Sequence, residues 1–305
     1  MTPGRTQQYL VIAWAWSCAV ILVSAVSAVI GFLLVRGAGA LNLELIFGHT
    51  AALDAVLLRR PVFGGLFPAI VGTLLLVLLS VAIALPVGLA TGIYLAEYAQ
   101  GRIRSLLGLI FDVLAGIPSI VIGLFGFSLA IFLHQRLSGR IYPCLLISSL
   151  SLAFLVLPYL IRSTQAALES LPFKHRITAP ALGATRLQNI RHVLLPRAMQ
   201  NIAGGIVLAI GRCAEDTAVI MLTGAVATAG VPKGVLGHFE ALPFFIYYIS
   251  SQYADPAELS QGYGAAIILL IICLMLFGLN KVAQKVVAAR LYTNVAKKRW
   301  QKNGP

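Results

Sequence analysis

Acidic residues are scarce in this chain: ten Asp and Glu among 305 residues, against 23 Lys and Arg, and the four charged types together make up only 11%. Soluble domains carry roughly a quarter charged residues, so a soluble domain is excluded as the body of this protein. Cysteine is equally thin. Cys18, Cys144, Cys213 and Cys273 stand singly in apolar runs, without the paired spacing of a zinc site or a disulfide framework. The histidines His49, His134, His175, His192 and His238 form no ligand cluster either. The sequence has no Gly-x-x-x-x-Gly-Lys-Ser/Thr loop and no His-Glu-x-x-His motif. No metal, cofactor or catalytic residue is therefore expected, and any energy taken from ATP must come through another subunit.

What the chain has instead is apolar length. Hydrophobic residues make up 59% of it, and the mean hydropathy is +0.90. About 20 apolar residues carry a helix across the hydrocarbon layer, and six runs qualify, near 10–35, 66–96, 105–134, 141–161, 202–227 and 263–280. This predicts an all-α integral membrane protein with six transmembrane helices. Its expected parts are a first span and loop over 1–65, the main transmembrane domain over 66–290 and a basic tail over 291–305. The run after Arg5 ends in small residues, Ser24 to Ala28, as a cleavable leader does. It continues apolar to Val35, however, so a retained anchor is expected.

Charge predicts the orientation. With six spans, both termini share a face with loops 97–104 and 162–201, and that face holds 16 Lys and Arg. The opposite face holds six: Arg36, Arg59, Arg60, Arg136, Arg140 and Lys233. The positive-inside rule then puts both termini and the long basic loop in the cytoplasm. Anionic membrane lipid accounts for the net charge of +13 without a nucleic-acid partner.

The loop from Arg162 to Asn201 has internal order. The fourth span is expected to run on as a helix past Arg162 and end at Pro172. A short helix follows Thr178 with Pro180 in its first turn, where a missing N–H is harmless, and Gly183 stops it. Thr185-Arg186-Leu187-Gln188 has the form of a capping box. The helix it opens carries an apolar stripe, Leu187, Ile190 and Leu194, beside Arg186 and Arg191, and Pro196 closes it. Such a knob suits a docking surface for a soluble partner; an amphipathic helix lying on anionic lipid is the other reading.

A second polar group lies inside a span. Arg212, Glu215 and Asp216 fall within five residues, where each charge costs about 2.5–3.5 kcal/mol on the lenient insertion scale. Residues three and four apart share a helix face, so Arg212 can meet both carboxylates. Two readings stay open: the group lines a pathway, or it is a structural ion pair. Asp112, in the third run, either lines a mouth or caps a neighbouring helix. Pro86, Pro118 and Pro158 are expected to kink or break their spans.

These residues carry a resemblance. With Gly183 as anchor, Ala179 before it and Leu195-Pro196 after it sit at the spacing of the cytoplasmic loop in permease subunits of binding-protein-dependent ABC importers. Ile177 and Thr178 stand where that family has Glu and Ala. Segments Pro68–Leu74, Gly92–Tyr98, Ala115–Gly126, Leu182–Arg186 and Gly211–Ala214 are similar to A-type permease subunits of phosphate importers, and the likeness covers roughly 66–225. One departure is clear: Glu215-Asp216-Thr217-Ala218-Val219 replaces the family's Gly-Glu-Thr-Ala-Pro.

The resemblance implies a type I importer permease core in a bacterial or archaeal inner membrane. It implies two copies of an ATPase subunit docked on Ala179, Ala181, Leu182, Gly183, Arg186, Leu187, Ile190, Val193, Leu194, Leu195 and Pro196. A homologous C-type permease would form the other wall, and an extracytoplasmic phosphate-binding protein would deliver inorganic phosphate. Arg212, Glu215, Asp216, Thr217, Asp112 and Ser119 would line the pathway. A guanidinium fork suits a tetrahedral oxyanion, and a neighbouring carboxylate can accept a hydrogen bond from the proton that hydrogen phosphate retains and sulfate lacks. Permeases for sulfate, molybdate or phosphonate are alternatives, as is an ion-coupled secondary carrier.

Overall fold

In a bilayer every backbone polar group must be satisfied within the protein, which restricts lipid-facing segments of a non-barrel chain to helices. The computed structural model describes residues 3–48, 50, 52–57, 62, 64–136 and 142–302, and six of its helices are long and apolar enough to cross a membrane. In chain order the helices are α1 (Pro3–Gly37), the short α2 (Leu43–Phe47) and α3 (Ala52–Val56), α4 (Phe67–Glu97), α5 (Gly101–Ala115), α6 (Ser119–Arg136) and α7 (Leu145–Glu169). Then come α8 (Phe173–Ala181), α9 (Arg186–Asn189), α10 (Leu195–Glu215), α11 (Ala218–Thr223), α12 (Leu242–Gln252) and α13 (Pro256–Lys302). The crossing helices are α1, α4, α6, α7, α9 running into α10, and α13.

The bundle is organised on α4 and α7. Lipid tails give helices no hydrophobic reason to associate, so close backbone contact through small residues must hold them. Gly88 and Gly92, one turn apart on α4, supply it. A Cβ on Gly88 would fall 2.7 Å from Leu160 Cβ, and one on Gly92 would fall 2.6 Å from Thr164 Cβ. Helix α10 meets α7 the same way, since Gly205 lies where a Cβ would strike the Ser163 side chain. On the other flank α6 and α11 approach at Gly123 and Gly126, and Thr223 Oγ1 donates to Ser148 Oγ at 2.9 Å, tying α11 to α7. Helix α1 stands outside this core. The apolar length of α1 is unburied, and it meets α13 at its end, where Gly37 approaches Tyr263 and Phe32 stacks edge-on against that ring.

Three boundaries differ from the sequence expectation. The run 105–134 is two helices, because Gly116-Ile117-Pro118 interrupts it: proline disfavours helical backbone at the residue before it. Only α6 is a span; α5 is amphipathic and packs Leu107 and Phe111 on Leu95, Ala99 and Ile161. Pro196 does not close the loop helix. The chain passes from α9 through a π-helical turn, Ile190–Leu194, straight into α10, with Pro196 in its first turn. A wider turn there accommodates a ring that would otherwise clash with the carbonyl one turn back. Pro180, expected in a first turn, lies in the last turn of α8, because that helix starts directly after Pro172, five residues before Thr178. Pro180 cannot donate to the Arg176 carbonyl, and Asn189 Nδ2 takes that acceptor instead at 2.9 Å.

Candidate functional site

Two polar groupings stand out from the apolar body: the elbow α8–α9 between the fourth and fifth crossings, and the charges at the end of α10. The elbow is built by local chemistry. Gly183 adopts φ +84°, the left-handed conformation that ends a helix, and the amide N–H groups of Gly183 and Ala184 bond back to the carbonyls of Pro180 and Ala179. The capping box is present: Gln188 N–H reaches Thr185 Oγ1 at 3.3 Å, and Thr185 N–H reaches Gln188 Oε1 at 2.9 Å.

The stripe Leu187, Ile190, Leu194 does not present one face. Ile190 and Leu194 are 3% and 0% exposed, packed with Ala167, Leu168, Ala198 and Ile202, so they anchor the elbow from beneath. Outward stand Leu182, 84% exposed, and Leu187, 66% exposed, with Ile177 and Phe173 near them in the chain. Ala181 and Gly183 are exposed as well, whereas Ala179, Val193, Leu195 and Pro196 are half-buried. Arg186 leans back over the Tyr98 ring, 5.1 Å from its centroid.

The sequence reading missed the residues that lock this elbow to the bundle. Arg176 Nη1 donates to Glu97 Oε1 at 2.7 Å, and its Nη2 donates to the Leu168 carbonyl at 2.7 Å. The signal present in the sequence was weak: a lone acid at the end of the second span and a basic residue in the loop, each unremarkable alone.

The second group sits where the fifth crossing breaks. Helix α10 ends at Glu215, and α11 begins at Ala218. Arg212 Nη1 donates to Glu215 Oε1 at 2.7 Å, while its Nη2 lies 3.9 Å from Asp216 Oδ2. The three residues expected to meet do so, but unequally. The Asp216 side chain is 3% exposed, and its Oδ1 accepts the Val219 N–H at 2.9 Å, which caps α11. Glu215 is open, at 63%. Arg212 Nε is buried and has no hydrogen-bond partner among the described residues, while the side chain as a whole is 35% exposed. Thr217, half-buried, is the residue on which α11 starts.

Asp112 and Ser119 belong to another place. Asp112 Oδ1 accepts from Arg162 Nε at 2.9 Å, joining α5 to α7, and Arg162 also holds Gln165 and the Gly108 carbonyl. These residues line an open cleft of about 500 Å³ with Arg104 and Ser105. Ser119 opens α6 after the Pro118 break.

The helical bundle shares its fold with chains of solved ABC transporters. One chain of a bacterial alginate ABC transporter, solved with an alginate-bound periplasmic protein, superposes with a TM-score of 0.63 over 93% of this chain and 96% of that one, at 15% identity. One chain of the MetNI methionine ABC transporter gives 0.53 over 79% and 99%, at 17% identity. The chain belongs to the family of binding-protein-dependent transport system inner membrane components, whose model matches residues 88–288. It is a multi-pass membrane protein and a transporter permease subunit. Among its relatives, the phosphate transport system permease protein PstA 2 of Mycobacterium bovis is 31% identical over 240 residues, 78% of this chain and 74% of that protein. PstA 1 of Mycobacterium tuberculosis is 34% identical over 215 residues, covering 68% and 67%. The Haemophilus influenzae protein PstA is 30% identical over 247 residues, covering 80% and 83%.

Proposed function

We propose that this chain is the permease subunit of an ATP-driven importer of inorganic phosphate. It forms half of the pathway, and a homologous C-type permease forms the other half. Two copies of a separate ATPase subunit dock on the elbow, and an extracytoplasmic phosphate-binding protein releases the anion onto the opposite face. The excess of Lys and Arg on the elbow's face supports a cytoplasmic elbow and cytoplasmic termini. Closure of the ATPase pair on ATP would pull the elbow and tilt the crossing helices, exposing the pathway alternately to either side.

The observation that carries the substrate reading is Arg212. It is a guanidinium in the fifth crossing whose side chain is 35% exposed, next to an open carboxylate, in a chain whose relatives are named as phosphate permeases. Arg212 would hold hydrogen phosphate by its fork, and Glu215 would accept a hydrogen bond from the P–OH group that phosphate retains. Asp216 and Thr217 would keep the break between α10 and α11 in place. The test is uptake of radiolabelled phosphate by cells expressing Arg212→Ala, Arg212→Lys or wild type at equal membrane levels. Loss of uptake in the Ala variant is expected; wild-type uptake in it removes Arg212 from the pathway. Competition by unlabelled sulfate or molybdate, at a level that spares phosphate-only transport, distinguishes the other oxyanions.

A further inference from the structure

We infer that Arg176 is a positioning residue for transport: with Glu97 it forms the clasp by which the elbow moves α4. This rests on the ATPase-docking role proposed for the elbow. Arg176 is the point where three segments converge. Its guanidinium reaches Glu97 in the last turn of α4 and the Leu168 carbonyl near the end of α7, each at 2.7 Å. Its own carbonyl, left open because Pro180 has no N–H, accepts from the buried Asn189 of α9 at 2.9 Å. The pair is sheltered, with 23% of the Arg176 side chain and 9% of the Glu97 side chain exposed.

The apolar contacts under the elbow do different work. Ile190 and Leu194 rest mainly on α7 and α10, and Leu89, Ile93 and Ala96 of α4 touch the same cluster. Such contacts are non-directional and tolerate sliding. A charged fork held at two acceptors fixes register. A pull on the elbow therefore reaches α4 through Arg176, whereas the apolar seat alone would let α4 lag.

Helix α4 also has something to move at its other end. Thr73 Oγ1 accepts the Leu242 N–H at 2.9 Å, and Gly72 lies so close to the Glu240 carbonyl that a Cβ would overlap it. From Glu97 to Thr73 the helix spans about 36 Å at 1.5 Å per residue. One unbroken helix, α4, thus connects the elbow to the 224–242 segment on the far side of the bundle.

The test uses the complete transporter in proteoliposomes, with ATP hydrolysis, phosphate uptake and bound ATPase measured together. Arg176→Gln and Glu97→Gln should keep bound ATPase and hydrolysis while phosphate moved per ATP falls about tenfold, within the usual range of coupling between sites. Arg176→Lys, which keeps the charge without the fork, should fall between these and wild type. The exchange Glu97→Arg with Arg176→Glu should recover part of the ratio. An unchanged ratio in both Gln variants overturns the inference, as does a loss of uptake that merely tracks loss of bound ATPase. The docking role fails separately, if Leu182→Asp and Leu187→Asp both leave the ATPase bound.

Discussion

Asp216 Oδ1 accepts the Val219 N–H at 2.9 Å across the two-residue break between α10 and α11. The carboxylate thus does the work of a helix cap within a membrane-crossing region, while its second oxygen stays 3.9 Å from Arg212. Loss of a capping oxygen costs about 1 kcal/mol. Asp216→Ala should therefore lower the stability of the purified complex by about that amount. Asp216→Asn, which keeps an acceptor oxygen, should stay near wild type. Thermal denaturation of both variants checks this, and equal losses in the two would show that charge, not the cap, is what the site needs.

How much of this was legible in the sequence follows from which forces are local. Six spans were legible because each needs its own length of apolar residues. The capping box and the Gly183 stop were legible because they depend on residues three apart. The break after Glu215 was hidden: Ala218-Val219-Ile220 continues the apolar run, and the interruption comes from a side chain taking a backbone N–H. The inward turn of Ile190 and Leu194 was hidden too, since an apolar stripe does not say what covers it. The Arg176–Glu97 pair lies 79 positions apart, and no periodicity links its members.

The elbow's outer surface gives the sharpest contrast between docking and folding. Leu182 and Leu187 touch solvent, so Leu182→Asp or Leu187→Asp should leave membrane insertion and stability unchanged while the ATPase no longer co-purifies. Ile190→Ala should instead destabilise the chain, by about 2–5 kcal/mol for a buried aliphatic truncation. Pull-down of the ATPase alongside membrane yield separates the two classes. Bound ATPase in both Asp variants would reject this face as the socket.

Gly183 tests the shape of that surface without touching its side chains. Among the described residues, no atom beyond its two chain neighbours lies within 4 Å of a Cβ placed there, so substitution meets only the backbone penalty of a positive φ. Gly183→Ala should cost about 1–2 kcal/mol, felt as weaker ATPase association at normal membrane levels. Gly183→Asn should be milder, because Asn tolerates the left-handed region. Ala binding equal to wild type would mean that the turn can be remade.

Gly92 reports on the α4–α7 seam. A methyl group in place of its hydrogen would come within 3 Å of both Thr164 Cβ and the Ile161 carbonyl. Gly92→Ala must part the helices slightly and should cost about 1–3 kcal/mol, as overpacking does. Gly92→Leu should prevent assembly of the permease. Yield of folded protein on size-exclusion chromatography measures both, and a normal Leu variant would show that the seam is not close-packed in the membrane.

Glu240 carries a pH prediction for the far end of the bundle, outside the crossing helices. Burial pushes its carboxyl above the ordinary value of 4.5, and the Gly230 N–H, 2.7 Å from Oε1, pulls partly the other way. Because the folded value is raised, the folded state prefers the protonated acid. The stability linked to this group is fully present below the ordinary value and is lost as pH rises through the raised one. Glu240→Gln, a neutral mimic of the protonated acid, should match wild type in acid and exceed it at mildly alkaline pH. Thermal denaturation of wild type and variant across that range gives the difference directly. A gap that stays constant with pH would mean that the Gly230 hydrogen bond offsets the burial of the charge.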